Sequence, residues 1–473
     1  MNGPLSRRRF LGQASCAAVG SISILNTLLN LRLAQDIAAA TPPADGEYRA
    51  LVCLFLGGGC DTFNVLMPRD TTGYATYQNS RSNLALPANQ IIDIHPIGLS
   101  NFGVHGGMPE VANLFESGHA AFVANVGTLI EPVLNRTQVS QNLKRLPLGL
   151  YSHSDQIEQW QTSVPNSRSG IGWGGRMVDL LKDLNSNQLV PMQISLDGSN
   201  VWQTGNTVSE YAITTDGATG LTNYMPGWVQ NQEIQNAMSN AVDSQLAQQY
   251  TNLLQQTFVT TKKQALDAYQ SFATATAPPL PNGVTFPNTY VGSRLAMIAQ
   301  AIQGRAALGA TRQTFFILWG GWDHHDDVIG NQATMLPQVS AAIGAFYNAL
   351  TTLGVADKVT LFTASDFGRT LTSNNRGSDH AWGSNQLVVG GAVNGKRIYG
   401  QYPSLLLNPD VGSEVNPLDT GRGRFIPTTS CDQYFAELAL WLGVSPSNLP
   451  LVLPNIGNFY DVTSNVPPVG FMA

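Results

Sequence analysis

Residues 49–59 read RALVCLFLGGG, and this stretch decides the fold. Seven apolar residues follow Arg49 without alternation, and three glycines then break the run. A strand with one wet face alternates apolar and polar residues, whereas an unbroken apolar run suits a strand buried on both faces. Similar runs recur in AAFVANVGT (120–128), TFFILWGG (314–321), KVTLFTASDFG (358–368) and NQLVVGGAV (385–393). Segments with helical spacing lie between and after them. These are MPEVANLFESGH (108–119), SDQIEQWQTS (154–163), GGRMVDLLKDLN (174–185), MLPQVSAAIGAFYNALTTLG (335–354) and CDQYFAELALWLGV (431–444), with Ser154 the expected cap of the second. Doubly buried strands alternating with helices predict an α/β fold, with a mainly parallel central sheet and helices on both faces.

Working outward, two segments depart from this pattern. Residues 228 to about 275 are rich in Gln, Asn and Ala, are helical in period, and are too polar for a core. They are expected to form a helical insertion, closed by the proline-rich break at 277–287. Residues 1–40 begin with Arg7, Arg8 and Arg9, continue through an apolar stretch and end in small residues. That order is the order of an export signal, and paired arginines before Phe10 and Leu11 point to the twin-arginine type. The expected organisation is a signal over 1–40 and a single α/β domain over 41–473. The expected location is the periplasm or cell envelope, and the expected first partner is the twin-arginine export machinery.

The leader holds four arginines and one aspartate, so its removal takes the formal charge from −6 to −9. An acidic chain with no basic tract excludes nucleic acid as a partner. Beyond Cys16 in the leader, only Cys53, Cys60 and Cys431 remain, which is no disulfide framework. No GxGxxG opens a helix and no CxxC is present, which argues against a nucleotide or thiol oxidoreductase.

Charge is scarce, yet acids and histidines gather after the apolar runs. Asp61 and Asn64 follow the first. Ser152 and His153 precede a helix. Asp323, His324, His325, Asp326 and Asp327 follow TFFILWGG, Asp366 and Arg369 follow VTLFTA, and Asp379 and His380 come soon after. In open α/β sheets ligands bind at the carboxyl ends of strands. Carboxylates and neutral imidazoles at that edge are what a divalent metal needs. Each cluster also has a plain structural reading: Asp61 and Asp379 as turn residues, His153 as a core histidine, Arg369 as a surface cation.

The blocks LFLGGGCDTFNVLMP, YSHSDQIEQWQ, GGWDHH, TASDFGRT and GSDHAWG resemble, in order and spacing, the signatures of the exported bacterial family known as "domain of unknown function 1501". That family is distantly similar to the alkaline phosphatase and sulfatase superfamily. The resemblance implies a metal-dependent hydrolase of phosphate or sulfate esters, acting on a small-molecule or polymer ester. It implies metal ligands at Asp61, Asp323, His325, Asp366 and His380, a nucleophile at Ser152, and charge stabilisation by Arg369 or Asn64. The ions implied are one or two of zinc, calcium, magnesium or manganese. The chain departs from the two-zinc phosphatases at Phe367, where they carry histidine, and in the short interval between Asp323 and His325. It also carries His153 beside Ser152, where small residues are usual. These departures leave open a non-catalytic envelope binding or assembly protein on the same fold.

Overall fold

The structure, a computed structural model, describes residues 47–221, 224, 232–410 and 414–473. The expected signal over 1–40 and the start of the insertion at Trp228 lie outside the described residues.

The main sheet orders its strands Ile398–Tyr399, Ala120–Gly127, Ser384–Val389, Val359–Ser365, Arg49–Leu56, Arg312–Trp319, Gln193–Ser195 and Tyr211–Ala212, with Thr429–Ser430 also paired to Ala120–Gly127. Arg49–Leu56 sits at its centre, as the unbroken apolar run requires. Side chains from both its faces are buried. Val52 and Leu54 join the large core that also holds Ile298, Leu336, Val339 and Ile343. On the other face Phe55 meets Phe316, and Phe362 meets Trp173 and Tyr434. The helices Tyr290–Gln303 and Val328–Thr352 cover the first face, and Trp173–Leu181 and Cys431–Leu442 contribute to the second.

Register explains why distant residues meet. Leu56 pairs in parallel with Trp319 on one side and with Ser365 on the other. Three strands therefore stop level, and the loops at Gly57, Gly320 and Asp366 start from one edge. Ser384–Val389 runs antiparallel to both of its neighbours, so the sheet is mixed rather than wholly parallel. That reversal brings the residues before Ser384, His380 among them, to the same edge. Ala120–Gly127 also ends there, and the chain continues from it to a helix that begins at His153.

Several element ends shift. The expected cap Ser154 lies inside helix His153–Thr162, and Ser152 takes the capping position. The helix expected over 335–354 begins earlier, at Val328, with Pro337 inside it. The expected insertion contains two helices, Gln232–Ala247 and Leu253–Thr276, and among the described residues it adds no strand to the sheet. Cys53, Cys60 and Cys431 are free and buried.

Candidate metal centre

The glycine turn after Arg49–Leu56 builds the floor of the site. Gly58 has φ +118°, and its N–H donates to Asp366 Oδ1 at 3.0 Å. A Cβ on Gly58 would lie 2.5 Å from the Asp323 nitrogen and 2.9 Å from the Trp322 nitrogen. Both neighbours are backbone, so neither can rotate away. Gly58→Ala is expected to lower stability by about 3 kcal/mol or more, from positive-φ strain plus overpacking. Urea unfolding of the variant checks this.

Three imidazoles and one carboxylate face one another above that floor. His153 Nδ1 lies 2.7 Å from the buried Asp366 Oδ2. His380 Nδ1 lies 2.8 Å from the Tyr151 carbonyl. His325 Nδ1 lies 3.2 Å from Asp379 Oδ1. A carbonyl or carboxylate accepts hydrogen bonds only, so each neutral ring carries its proton on Nδ1 and leaves a lone pair on Nε2. Those lone pairs converge. Asp323 oxygens lie 3.5 Å from His153 Nε2, 3.1 Å from His325 Nε2 and 3.4 Å from His380 Nε2, and the last two nitrogens are 3.0 Å apart. Acceptor facing acceptor is repulsive unless a cation or proton lies between. His153 Nε2 is buried without a hydrogen-bond partner, a buried lone pair waiting for such an ion. One ligand atom each from His153, Asp323 and His380 fits within 4.8 Å of the others. The donor set therefore fits a divalent metal, with His325 positioned to add a fourth ligand. Rings oriented through Nδ1 by an outer acceptor are the usual support of metal-binding histidines.

The charges agree. Burial pushes the His380 pKa down and keeps the ring neutral, as a ligand must be, although the Tyr151 carbonyl pulls the other way. Burial also works against the Asp323 charge, but the Arg369 guanidinium holds its carboxyl below the usual range. Asp379 is held down to about 2: burial opposes its charge, and Asn374, Arg422 and His325 outweigh burial.

The residues expected from the sequence divide. Asp323, His325 and His380 come together as expected. Asp366 joins them one step back. Its oxygens are taken by Gly58 and His153, so it positions a ligand rather than binding metal itself. Burial pushes its carboxyl up, against the pull of those two donors. Asp366→Asn is expected to weaken metal binding by about 10–100-fold, the usual loss for an outer-shell carboxylate, read by competition with a chromogenic chelator.

The remaining expected residues have other partners. Asp61 is fully buried; its Oδ2 is ion-paired with Arg81 and accepts from Ser378 Oγ at 3.3 Å, while its Oδ1 has no hydrogen-bond partner. Asn64 is also buried, between the Tyr77 hydroxyl and the Leu84 carbonyl, and faces no cleft. Arg369 is fully buried. Its three guanidine nitrogens reach the carbonyls of Gly58, Gly59 and Ser378 and the Asp323 carboxylate, so it fixes loops instead of meeting a substrate anion. The Ser152 hydroxyl bonds Ser154 Oγ at 3.1 Å and Asp155, and none of the four ligand-bearing side chains.

His153 is the candidate ligand that the sequence reading did not assign. The signal was present in its place directly after a capping serine, at the start of a helix that follows an apolar strand. Tyr151 contributes only a carbonyl, which no side-chain pattern reveals, and it holds φ +73° to do so. Phe367 closes the back of the site, its ring 4.8 Å from that of His153 and 4.5 Å from that of His380.

An α/β protein that delivers three oriented imidazoles and a carboxylate to one sheet edge belongs, by fold and site, to the class with a candidate metal centre. Residues 48–417 match the family described as "Protein of unknown function (DUF1501)", and the chain belongs to that family. No curated protein matches it. Among solved structures it is similar to Ps i-CgsB in complex with k-i-k-neocarrahexaose, at 13% identity, with 87% of this chain and 77% of that chain covered and a TM-score of 0.32. It is also similar to the soluble domain of lipooligosaccharide phosphoethanolamine transferase A from Neisseria meningitidis, at 10% identity, 86% and 90% coverage and a TM-score of 0.30. Alkaline phosphatase from the Antarctic bacterium TAB5 is similar at 10% identity, 73% and 93% coverage and a TM-score of 0.28. Likenesses at these scores carry no chemistry to this chain.

Proposed function

We propose that the chain is an exported hydrolase of phosphate or sulfate esters that works with one divalent ion. The observation that supports this most is the convergence of three Nδ1-anchored imidazoles on Asp323. Three nitrogens and one oxygen suit zinc, or manganese, better than calcium or magnesium, which prefer oxygen alone. Phe367 fills the position where the two-zinc enzymes have a ligand, so the reading has one ion and not two. When bound, the ion supplies Lewis-acid charge to the ester oxygens and lowers the pKa of water.

The chain's own residues do the rest. His153, His325, His380 and Asp323 hold the site, and Asp366, Asp379 and the Tyr151 carbonyl keep the rings aimed. Arg369 keeps Asp323 ionised and in place. Since the Ser152 hydroxyl is turned to Ser154 and Asp155, the reading assigns attack to water and not to this serine. Ser152→Ala is accordingly expected to keep its metal and to turn over aryl esters within about tenfold of the wild type. A true nucleophile would cost several powers of ten.

The second reading, an envelope protein that binds or assembles without catalysis, is favoured by one observation. Arg369, the one arginine touching the cluster's carboxylate, is buried with every nitrogen engaged. Metal-loaded protein assayed on aryl phosphates and aryl sulfates separates the two. Turnover that disappears in Asp323→Ala supports the hydrolase, and metal binding with no turnover of any ester selects the second reading.

A further inference from the structure

The helix Leu253–Thr276 has an unusual distribution of burial. Its buried residues are Leu266, Ala268, Phe272, Ala275 and Thr276, so only its second half packs on the body. Among the first thirteen residues, about 20 Å of helix at 1.5 Å per residue, none is fully buried. Its companion, Gln232–Ala247, buries only Gln235. The hairpin of these two helices therefore projects, and its end carries the three most exposed large apolar side chains among the described residues. These are Leu254 at 80%, Leu253 at 78% and Phe258 at 71% exposure. Three such side chains within two turns exceed the scatter of single exposed leucines on an ordinary surface.

We propose that this tip docks on a lipid surface, with Leu253, Leu254 and Phe258 inserted below the headgroups. Three features of the tip favour a bilayer over a second copy of the chain. First, on Leu253–Thr276 the large exposed apolar residues sit at the tip; Ile234 and Met238, earlier in the companion helix, are less exposed, at 55% and 42%. On this helix the exposed positions between Phe258 and the first buried residue, Leu266, are Thr260, Thr261, Lys263, Gln264 and Ala265, so no large apolar side chain continues the patch along it. Second, residues 244–261 contain no charge, and the next charges are Lys262 and Lys263, the latter paired with Asp267. Lys262 stands about 12–14 Å behind the tip. An insertion of about 5–10 Å therefore leaves it level with the headgroup phosphates.

Third, the tip satisfies part of its own backbone. The Asn252 side chain accepts from Leu254 N and Gln255 N, and Gln256 N donates to the Asn252 carbonyl. The Gln256 side chain in turn accepts from Tyr250 N at 2.8 Å. Exposed N–H groups are what an apolar phase penalises, and the Asn252 cap covers those of Leu254 and Gln255. No helix among the described residues is long and apolar enough to cross a membrane, so the contact is one of docking and not of spanning.

The test compares the full chain with its Leu253→Ser, Leu254→Ser, Phe258→Ser variant, so that the basic leader is common to both. Flotation with vesicles of phosphatidylethanolamine and phosphatidylglycerol reads binding, and light scattering reads oligomeric state. The proposal expects the lipid-bound fraction of the variant to fall at least ~10-fold, as the loss of three buried apolar side chains requires. It expects both proteins to be monomeric, with the same thermal melt. Equal flotation of the two proteins, or none by the wild type, overturns it. A wild-type dimer that the variant dissolves also overturns it, in favour of a second copy.

Discussion

The Asp323→Ala protein is expected to bind divalent metal roughly 10²–10³-fold more weakly than the wild type. A four-ligand site of this kind is worth about 10–16 kcal/mol in all, so one ligand carries roughly a quarter of it. Asp323 is also the only anionic ligand and the point on which all three Nε2 lone pairs converge. Without it the imidazoles face each other with no shared partner. The side chain is partly exposed, and the buried Arg369 guanidinium that loses it keeps its bonds to the Gly58, Gly59 and Ser378 carbonyls, so the fold should survive with reduced stability. Metal titration by calorimetry, with circular dichroism as the control, checks both halves. A variant that keeps wild-type affinity would show that the ion, if any, sits elsewhere.

The second large effect belongs to Arg369 and falls on folding. Its guanidinium joins the glycine turn at Gly58 and Gly59, the strand at Ser378 and the loop at Asp323, three segments far apart in sequence or on the opposite strand of its own hairpin. Arg369→Ala removes charged hydrogen bonds worth about 1.5–3 kcal/mol each and leaves buried carbonyls without donors. A loss of at least about 4 kcal/mol is expected, enough to threaten folding in a marginally stable protein. Arg369→Lys keeps the charge but cannot span the fork, so it should recover only part of the loss. Chemical denaturation of the three proteins reads this series. Wild-type stability in Arg369→Ala would mean that the loops hold together without it.

Much of the fold could be read from the chain because its signals are local. The central strand at 49–56, its neighbours near 312–319 and 359–365, and the C-terminal helix all rest on unbroken apolar runs or helical spacing. The antiparallel course of Ser384–Val389 could not be read, since NQLVV is equally apolar in either direction, and direction is set by which edge the next loop reaches. Pro337 delayed the expected start of helix Val328–Thr352, because a proline usually marks a first turn and here stands in the third. The site divides on the same line. Asp323, His325 and His380 stand beside strand ends and were legible. Asp61 follows the glycine turn in sequence, but its pairing with Arg81 depends on a helix 20 residues on and could not be read from the turn. His153 was visible but has the same sequence appearance as a core histidine. Whether it ligates depends on Asp366, more than 200 residues away.

The central claim is that one ion sits between His153, His380 and Asp323. Anomalous X-ray diffraction from crystals of the zinc-equilibrated protein tests it most directly. The expected result is a single anomalous peak within bonding distance of His153 Nε2, His380 Nε2 and an Asp323 oxygen, with His325 Nε2 alongside. A peak at Asp61, two peaks at the site, or none at all would contradict it.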